Sequence, residues 1–269
     1  MDIPYSRWYP AISRRRSRRL FDSKTIPADL LEKFNAFCNE FQPFTGVRAL
    51  IITDSPEKVF KGAIGHYGKI KGTPAFIAFI GDMNDPHVQE KVGYLGEGII
   101  LEATALGLGT CWVGGFFRPE VAASLAHIKE NERVLAVTPV GFPEDKISVE
   151  EKIMTGFGRT HKRKPLRELI KGTEQEKLPD WIKTALEAAR LAPSAVNRQP
   201  WRFHVKNTNI TILVDDLNDT YHIAKRLDCG IAMLHIETAL LYSGVKGVWE
   251  FLSPPEVARF HKAESSQHK

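Results

Sequence analysis

The chain has 269 residues, of which 43% are hydrophobic and 26% charged, and its formal net charge is +5. These values are ordinary for a folded globular protein of one or two domains, and they exclude a disordered or collagen-like chain. The longest apolar stretch, residues 75–80, is too short to cross a bilayer, and residues 1–10 lack the apolar core of a secretory signal, so we expect a cytoplasmic protein with no membrane partner.

The first prominent feature is a run of five arginines within residues 13–19. Clustered arginines neutralise the phosphates of nucleic acids. The same run around Ser17 also suits a cradle for one compact phosphate, because guanidinium and hydroxyl groups donate to phosphate oxygens. A solvated charged face is the third interpretation, and the run by itself leaves all three open.

The first part of the chain predicts helices interleaved with strands. An amphipathic helix follows Pro27, and strands are predicted at residues 47–52, 73–80 and 133–141. Residues 98–106 are mostly apolar, which indicates a buried helix.

The second part repeats this order in a shorter form. A helix follows Pro179, strands are predicted at residues 202–205 and 209–215, and residues 230–240 form a second buried helix. We expect no further element after Trp249. A Gln-Pro-aromatic turn also precedes the first strand of both copies, so the chain is interpreted as an α+β or α/β protein built from two related halves.

One turn distinguishes the second copy from the first. Residues 192–201 read Ala-Pro-Ser-Ala-Val-Asn-Arg-Gln-Pro-Trp, and the first copy lacks most of this turn. Ser194 and Asn197 place short hydrogen-bonding groups on a rigid backbone, which suits the binding of a polyol or an amide. The alternative is that both side chains only satisfy the neighbouring backbone.

Residues 107–116 are rich in glycine but do not fit a dinucleotide-binding fingerprint, since they follow a helix and lack the Gly-x-Gly-x-x-Gly spacing. A left-handed helix end explains Gly107 or Gly109 without a function. Gly114 and Gly115 allow the backbone to approach a flat ring and to offer N–H donors to it.

Other reaction types receive little support from the sequence. The three cysteines are far apart, the nine histidines show no metal-ligand spacing, and there is no Gly-x-Ser-x-Gly elbow or P-loop. We therefore predict neither a metal site nor a hydrolase.

Together these segments resemble the flavin-dependent nitroreductase family, whose members bind FMN at a dimer interface. Residues 15–21 are similar to its Arg-x-Ser motif, residues 192–201 to its Ala-Pro-Ser-x-x-Asn-x-Gln-Pro-Trp loop, and residues 107–115 to its Gly-Leu-Gly-x-Cys-Trp-x-Gly-Gly segment. Residues 140–143 and 163–166 resemble its closing strand and its C-terminal basic element. The two-half arrangement resembles the fused branch named for a Thermotoga nitroreductase.

The resemblance implies a nitroreductase-like fold of the α+β class, an α/β sandwich in which a tandem duplication forms a pseudo-dimer. Residues 1–170 are the expected first half, and residues 171–269 are the expected second, truncated half. One chain would then act as a monomer that mimics a whole dimer. The reciprocal site has a loop shortened to residues 37–42 and no second Arg-x-Ser motif, so we expect about one FMN per chain.

The resemblance also implies roles for individual residues. Arg15 and Ser17 are expected at the phosphate and the flavin edge, with Arg163 closing on the phosphate and Arg19 near the N1/O2 edge of the ring. The glycine pair is expected to face N5 and O4, and the Pro-Ser-x-x-Asn loop to line the ribityl chain and the ring. The full cofactor-binding set is Arg15, Arg16, Ser17, Arg19, Lys69, Gly114, Gly115, Arg163, Pro193, Ser194 and Asn197, with no catalytic side chain.

The implied reaction takes hydride from NAD(P)H and reduces a small-molecule acceptor such as a nitroaromatic or a quinone. The flavin carries this chemistry, so no dedicated acid or base is required. A flavin enzyme with a non-nitro substrate and a non-catalytic flavin-binding or storage protein remain alternatives. With these motifs the arginine run is expected to bind the cofactor, and no nucleic-acid partner is expected.

Overall fold

The computed structural model describes residues 2–61, 70–144, 162–219 and 222–263. The described residues up to 144 form four strands and five helices. In chain order these are α1 (Tyr5–Arg14), α2 (Ala28–Glu40), β1 (Val47–Ile52), α3 (Pro56–Phe60), β2 (Ala75–Asp82), α4 (Val88–Ala105), β3 (Gly109–Thr110), α5 (Pro119–Ala126) and β4 (Glu132–Gly141).

The rest of the described chain forms a second set of elements. These are α6 (Leu166–Leu169), β5 (Ile170–Lys171), α7 (Asp180–Arg190), β6 (Trp201–Lys206), β7 (Asn209–Val214), α8 (Lys225–Tyr242), β8 (Gly247–Phe251) and β9 (Glu256–Lys262). The predicted strands and both buried helices are confirmed. Pro27 and Pro179 stand immediately before α2 and α7, where a missing N–H and a fixed φ do not disturb the helix.

Each half contributes one sheet. The first has the order β1-β2-β4-β3 with antiparallel pairing throughout, and the unbroken apolar run of β2 lies buried in its interior. The second has the order β5-β6-β7-β9-β8, in which only β5 pairs in parallel with its neighbour. The α+β class predicted from the sequence is confirmed.

The expectation that no element follows Trp249 is wrong. Strands β8 and β9 pair antiparallel, and β9 also pairs with β7, so this hairpin completes the second sheet. The strands are hard to recognise because no residue of β8 is buried and because Glu250, Glu256 and Arg259 interrupt the apolar pattern. At the other edge, Ile170 pairs with Phe203, so the predicted boundary between residues 170 and 171 falls inside β5.

Helices α4 and α8 pack against each other between the two sheets, and one hydrophobic core spans both halves. They cross at glycines. A Cβ atom on Gly93 would lie 2.0 Å from the carbonyl oxygen of Leu227, and one on Gly230 would lie 2.0 Å from that of Glu90. The contact is reciprocal, because Gly93 lies three residues after Glu90 and Gly230 lies three residues after Leu227. Both positions require glycine for this close approach.

Two further properties hold for the described residues. None of their helices is both long and apolar enough to span a membrane. Across the same residues, no group of three or more His, Cys, Asp or Glu side chains is arranged to hold a metal ion.

Candidate functional site

A cavity of about 330 Å³ lies where four segments meet: the chain after α1, the glycine segment after β3, the loop after α7 and the first turns of α8. Ten predicted site residues line it, contributed by both halves of the sequence. They are Arg15, Arg16, Ser17, Arg19, Gly114, Gly115, Arg163, Pro193, Ser194 and Asn197. The eleventh, Lys69, lies outside the described residues.

The arginine run is divided between the cavity and the surface. Helix α1 ends at Arg14, which is exposed, and the chain then continues in an extended form with Ser17 bridged to Thr110. Arg15 and Arg19 are only 7% and 5% exposed and face the cavity. A solvated charged face is therefore wrong for these two residues, and their burial favours a compact anion over an extended nucleic acid.

The buried guanidinium groups make the cavity strongly cationic. Within the described chain, Nε and Nη1 of Arg15 have no hydrogen-bond partner. Burial lowers the pKa of Arg15, although Glu97 opposes that shift. Burial also lowers the pKa of Arg163 to about 10, and the charges of Arg15, Arg190 and Arg16 add to the effect. An anion in the cavity would relieve this repulsion and supply the missing acceptors.

The turn after α7 is held by hydrogen bonds to protein groups. Ser194 Oγ accepts from the backbone N–H of Gln199 at 2.9 Å, and Asn197 Nδ2 donates to the carbonyl of Lys162 at 2.9 Å. Asn197 Oδ1 accepts from Arg163 Nη1 at 2.7 Å. Ser194 therefore accepts from the backbone of its own turn, whereas Asn197 bonds to Lys162 and Arg163, which are distant in sequence. The turn also lines the cavity.

This turn adopts a costly backbone. Val196, Asn197 and Gln199 have φ values of 47°, 55° and 49°, in the left-handed region that side chains with a Cβ disfavour. For the β-branched Val196 this conformation is a marked outlier. The hydrogen bonds of Ser194 and Asn197 offset that cost and fix the shape of the turn.

The glycine segment forms one wall of the cavity and α8 forms the other. A Cβ on Gly114 would lie 3.2 Å from Ile223, which precedes α8, so a side chain at this position would fill space beside Ile223 that glycine leaves open. Trp112 and Val113 line one side, and Leu227 and Ile231 line the other. The cavity therefore combines apolar walls with clustered cations, a lining that suits a flat ring carrying an anionic group. Gly107, with φ of 81°, ends α4 in the left-handed conformation predicted for it.

A family model described as "Putative TM nitroreductase" matches residues 7–240 of the chain. The chain belongs to this nitroreductase family. Among curated proteins no match to the sequence is found.

Solved structures similar to this nitroreductase include a putative nitroreductase from Thermotoga maritima, with 21% identity and a TM-score of 0.66 over 97% of this chain and 95% of that one. It has the same fold. A nitroreductase family protein from Clostridium difficile 630 has 19% identity and a TM-score of 0.47 over 62% of this chain and 98% of that one. A nitroreductase with bound FMN from Bacteroides fragilis has 20% identity and a TM-score of 0.43 over 53% of this chain and 91% of that one.

Sequence reasoning missed one charged residue in the cavity of this nitroreductase. Asp228 on α8 is 2% exposed and accepts hydrogen bonds from Ala195 N at 3.1 Å and Arg198 Nε at 2.7 Å. Burial raises the pKa of Asp228 to about 6, against the opposing effect of Arg198. Its two acceptor contacts anchor the turn after α7. The signal that could have found it is a carboxylate two residues before the mostly apolar run at residues 230–240.

Proposed function

We propose that this nitroreductase is an FMN-dependent oxidoreductase that takes hydride from NAD(P)H and reduces a nitroaromatic or quinone-like acceptor. The observation that carries the proposal is Arg15, a buried guanidinium in a ring-sized slot with two N–H groups that lack partners among the described residues. Such a group calls for an anionic acceptor, and a flavin phosphate or the electron-rich edge of the ring provides one.

The residues present fit FMN along its whole length. Arg15, Arg16 and Arg163 would hold the phosphate end, since they are the cations that repel one another in the free cavity. The slot between the glycine segment and α8 would hold the ring, with backbone N–H groups of Gly114 and Gly115 along its edge. When bound, FMN supplies a ring that accepts and donates hydride at neutral pH.

The contribution of the chain is to bind, orient and exclude water. Arg19 is 5% exposed in the cavity wall, and a fixed cation there would stabilise negative charge that develops on a reduced ring. Ile223, Leu227 and Ile231 exclude water from the opposite side. Neither an acid nor a base of the chain is needed for hydride transfer, in agreement with the proposal that no side chain is catalytic.

One flavin per chain is part of the proposal. The reciprocal contact pairs Gly93 of α4 with Gly230 of α8, and Glu90 with Leu227. The same offset in residue number pairs Lys91 with Asp228 and Tyr94 with Ile231. The α4 positions equivalent to the cavity wall are therefore Glu90, Lys91 and Tyr94.

Side chains fill the space over those α4 positions. Arg226 donates to Glu90, and the ring of Phe251 lies 5.3 Å from that of His87 in a stacked arrangement. Phe44 contacts Phe251 at a centroid distance of 5.2 Å and Tyr94 at 5.0 Å. This packing supports a pseudo-dimer with a single functional site, and we propose that the chain works as a monomer.

The decisive experiment is to saturate the purified protein with FMN, desalt it and count flavin per chain from the visible spectrum. We expect about one flavin for the wild type, the same for Arg14→Gln, and a large loss for Arg15→Gln. Arg14→Gln is the matched control because Arg14 is adjacent in sequence, has the same charge and is exposed. Two flavins per chain would overturn the single-site proposal, and no retained flavin would overturn the cofactor assignment.

Turnover then separates an enzyme from a flavin-binding protein. We expect the loaded protein to oxidise NADH or NADPH, with a rate that increases when a nitroaromatic or a quinone is added. Tight flavin binding without NAD(P)H oxidation would instead support a storage role, and NAD(P)H oxidation that neither acceptor accelerates would support a non-nitro substrate.

A further inference from the structure

A fully buried carboxylate and imidazole join the two halves behind the cavity. Glu97 lies on α4 and His235 on α8, and both side chains have no solvent exposure. Glu97 Oε1 is 2.9 Å from His235 Nε2, and Glu97 Oε2 accepts from Trp112 Nε1 at 2.7 Å. Trp112 lines the cavity, so the pair lies directly behind its wall.

The hydrogen bonds require one proton to be shared by this pair. His235 Nδ1 is 2.9 Å from the carbonyl oxygen of Ala188, which can only accept, so Nδ1 carries a proton. Nε2 then faces Glu97 either as an N–H donor to a carboxylate or as an acceptor from a carboxylic acid. In both arrangements the pair has no net charge. The negatively charged arrangement, an unprotonated Nε2 facing a carboxylate, is excluded because it would place two lone pairs against each other.

The shared proton decides what Glu97 does to Arg15. Arg15 Nε is 3.9 Å from Glu97 Oε1, a long ion-pair distance that lies beyond hydrogen-bond distance. The guanidinium is buried, and two of its nitrogens lack hydrogen-bond partners among the described residues. An uncompensated carboxylate at that position would attract the guanidinium into a tight ion pair. His235 and Trp112 instead occupy both oxygens of Glu97, and the charge of Arg15 stays available to the cavity.

We propose that His235 is a positioning residue that keeps Arg15 available for an anionic ligand by neutralising Glu97. The inference rests on the proposed function only in taking FMN as the ligand. If His235 has this role, anion binding by an arginine of the first half depends on a histidine of the second half.

The test is a double-mutant cycle measured by FMN affinity. His235→Gln keeps an N–H donor toward Glu97 but removes the imidazole that shares a proton with it. The carbonyl of Ala188, which loses its contact with His235, still accepts from Leu191 N at 3.1 Å. We expect the FMN dissociation constant to rise at least tenfold, because Glu97 then competes for Arg15. Adding Glu97→Gln should restore affinity to within about threefold of the wild type, a coupling that a purely structural role would not produce.

The control is Glu102→Gln. Glu102 is a second buried glutamate of α4 that accepts from Arg7 and Trp8, and it lies outside the cavity. It should leave FMN affinity unchanged. FMN fluorescence quenching gives the dissociation constants, and thermal unfolding without FMN confirms that each variant is folded.

The outcomes are distinct. A wild type that does not bind FMN contradicts the proposed function. A wild type that binds, with His235→Gln unchanged or the double variant as weak as His235→Gln, overturns the role of His235. If His235→Gln does not fold, Glu97→Gln alone decides, because it must bind FMN at least as tightly as the wild type, and a tenfold loss would overturn the inference.

Discussion

Arg163 and Asn197 are joined by a hydrogen bond of 2.7 Å, in which guanidinium Nη1 donates to the amide oxygen Oδ1. Nη2 of the same group donates to the carbonyl of Leu191 at 3.3 Å. The resemblance implies that Arg163 closes on a phosphate. These contacts give Arg163 a further role, because they also hold the turn after α7 in place.

Replacement of Arg163 separates ligand binding from stability. Arg163→Gln should raise the FMN dissociation constant tenfold or more, since it removes a cation and releases the turn. The stability of the FMN-free protein should change little, because the loss of two hydrogen bonds is offset by relief of repulsion with Arg15, Arg190 and Arg16. Thermal unfolding with and without FMN measures both effects.

Arg190→Gln is the matched control for this prediction. Arg190 contributes to the same electrostatic field but is paired with Glu187 at 2.6 Å and does not line the cavity. Its replacement should weaken FMN binding threefold or less. Equal losses for the two variants would mean that Arg163 acts only through its charge.

The crossing of α4 and α8 predicts that one added methyl group at Gly230 lowers the stability of the protein strongly. In Gly230→Ala the added Cβ would lie 2.0 Å from the carbonyl oxygen of Glu90, so the helices must separate and the free energy of unfolding should fall by about 3 kcal/mol. FMN affinity should fall as well, because Leu227 and Ile231 on α8 line the cavity.

Gly244→Ala provides the comparison. Gly244 follows α8 with φ of 76° and has no atom within 4 Å of its Cβ position, so the cost should be about 1 kcal/mol from backbone strain alone. Urea unfolding of both variants gives the difference. Similar losses would show that close helix contact does not limit stability at Gly230.

The sequence predicts the parts of this fold that local patterns determine. The buried run of β2 and the prolines before α2 and α7 are local signals, and they place these elements correctly. Helix α1 was missed because it contains Pro10 and because serines and arginines interrupt its apolar residues, although its Trp8 is fully buried. The β8–β9 hairpin was missed because β8 has no buried residue and charged residues interrupt the apolar pattern of both strands.

Site prediction has a similar limit. The cavity residues were found because they lie within short motifs that resemble those of the nitroreductase family. The pairing of Glu97 with His235 joins positions far apart in the chain, and so does that of Asp228 with Arg198 and the turn. No pattern along one sequence records which distant partner a buried charge will meet, so only the packed structure identifies these pairs.

A bidentate ion pair on the first sheet predicts part of the acid sensitivity of the protein. Arg48 donates to both oxygens of Glu132 at 2.9 and 2.8 Å, and together with a backbone N–H donor from Lys129 it lowers the pKa of Glu132 to about 2. A carboxyl whose folded pKa lies below its unfolded value stabilises the protein above pH 4.5, and this contribution is lost as the pH falls toward 2.

Glu132→Gln should therefore lower the free energy of unfolding by about 2 kcal/mol at pH 7 and by much less near pH 2, after allowance for partial solvent screening. Urea unfolding at pH 7, 5 and 3 measures this convergence of variant and wild type. Glu130→Gln is the control, because Glu130 is exposed two residues away, and it should leave the pH profile unchanged. A constant difference at all three pH values would show that the pair stabilises the sheet by packing and not by charge.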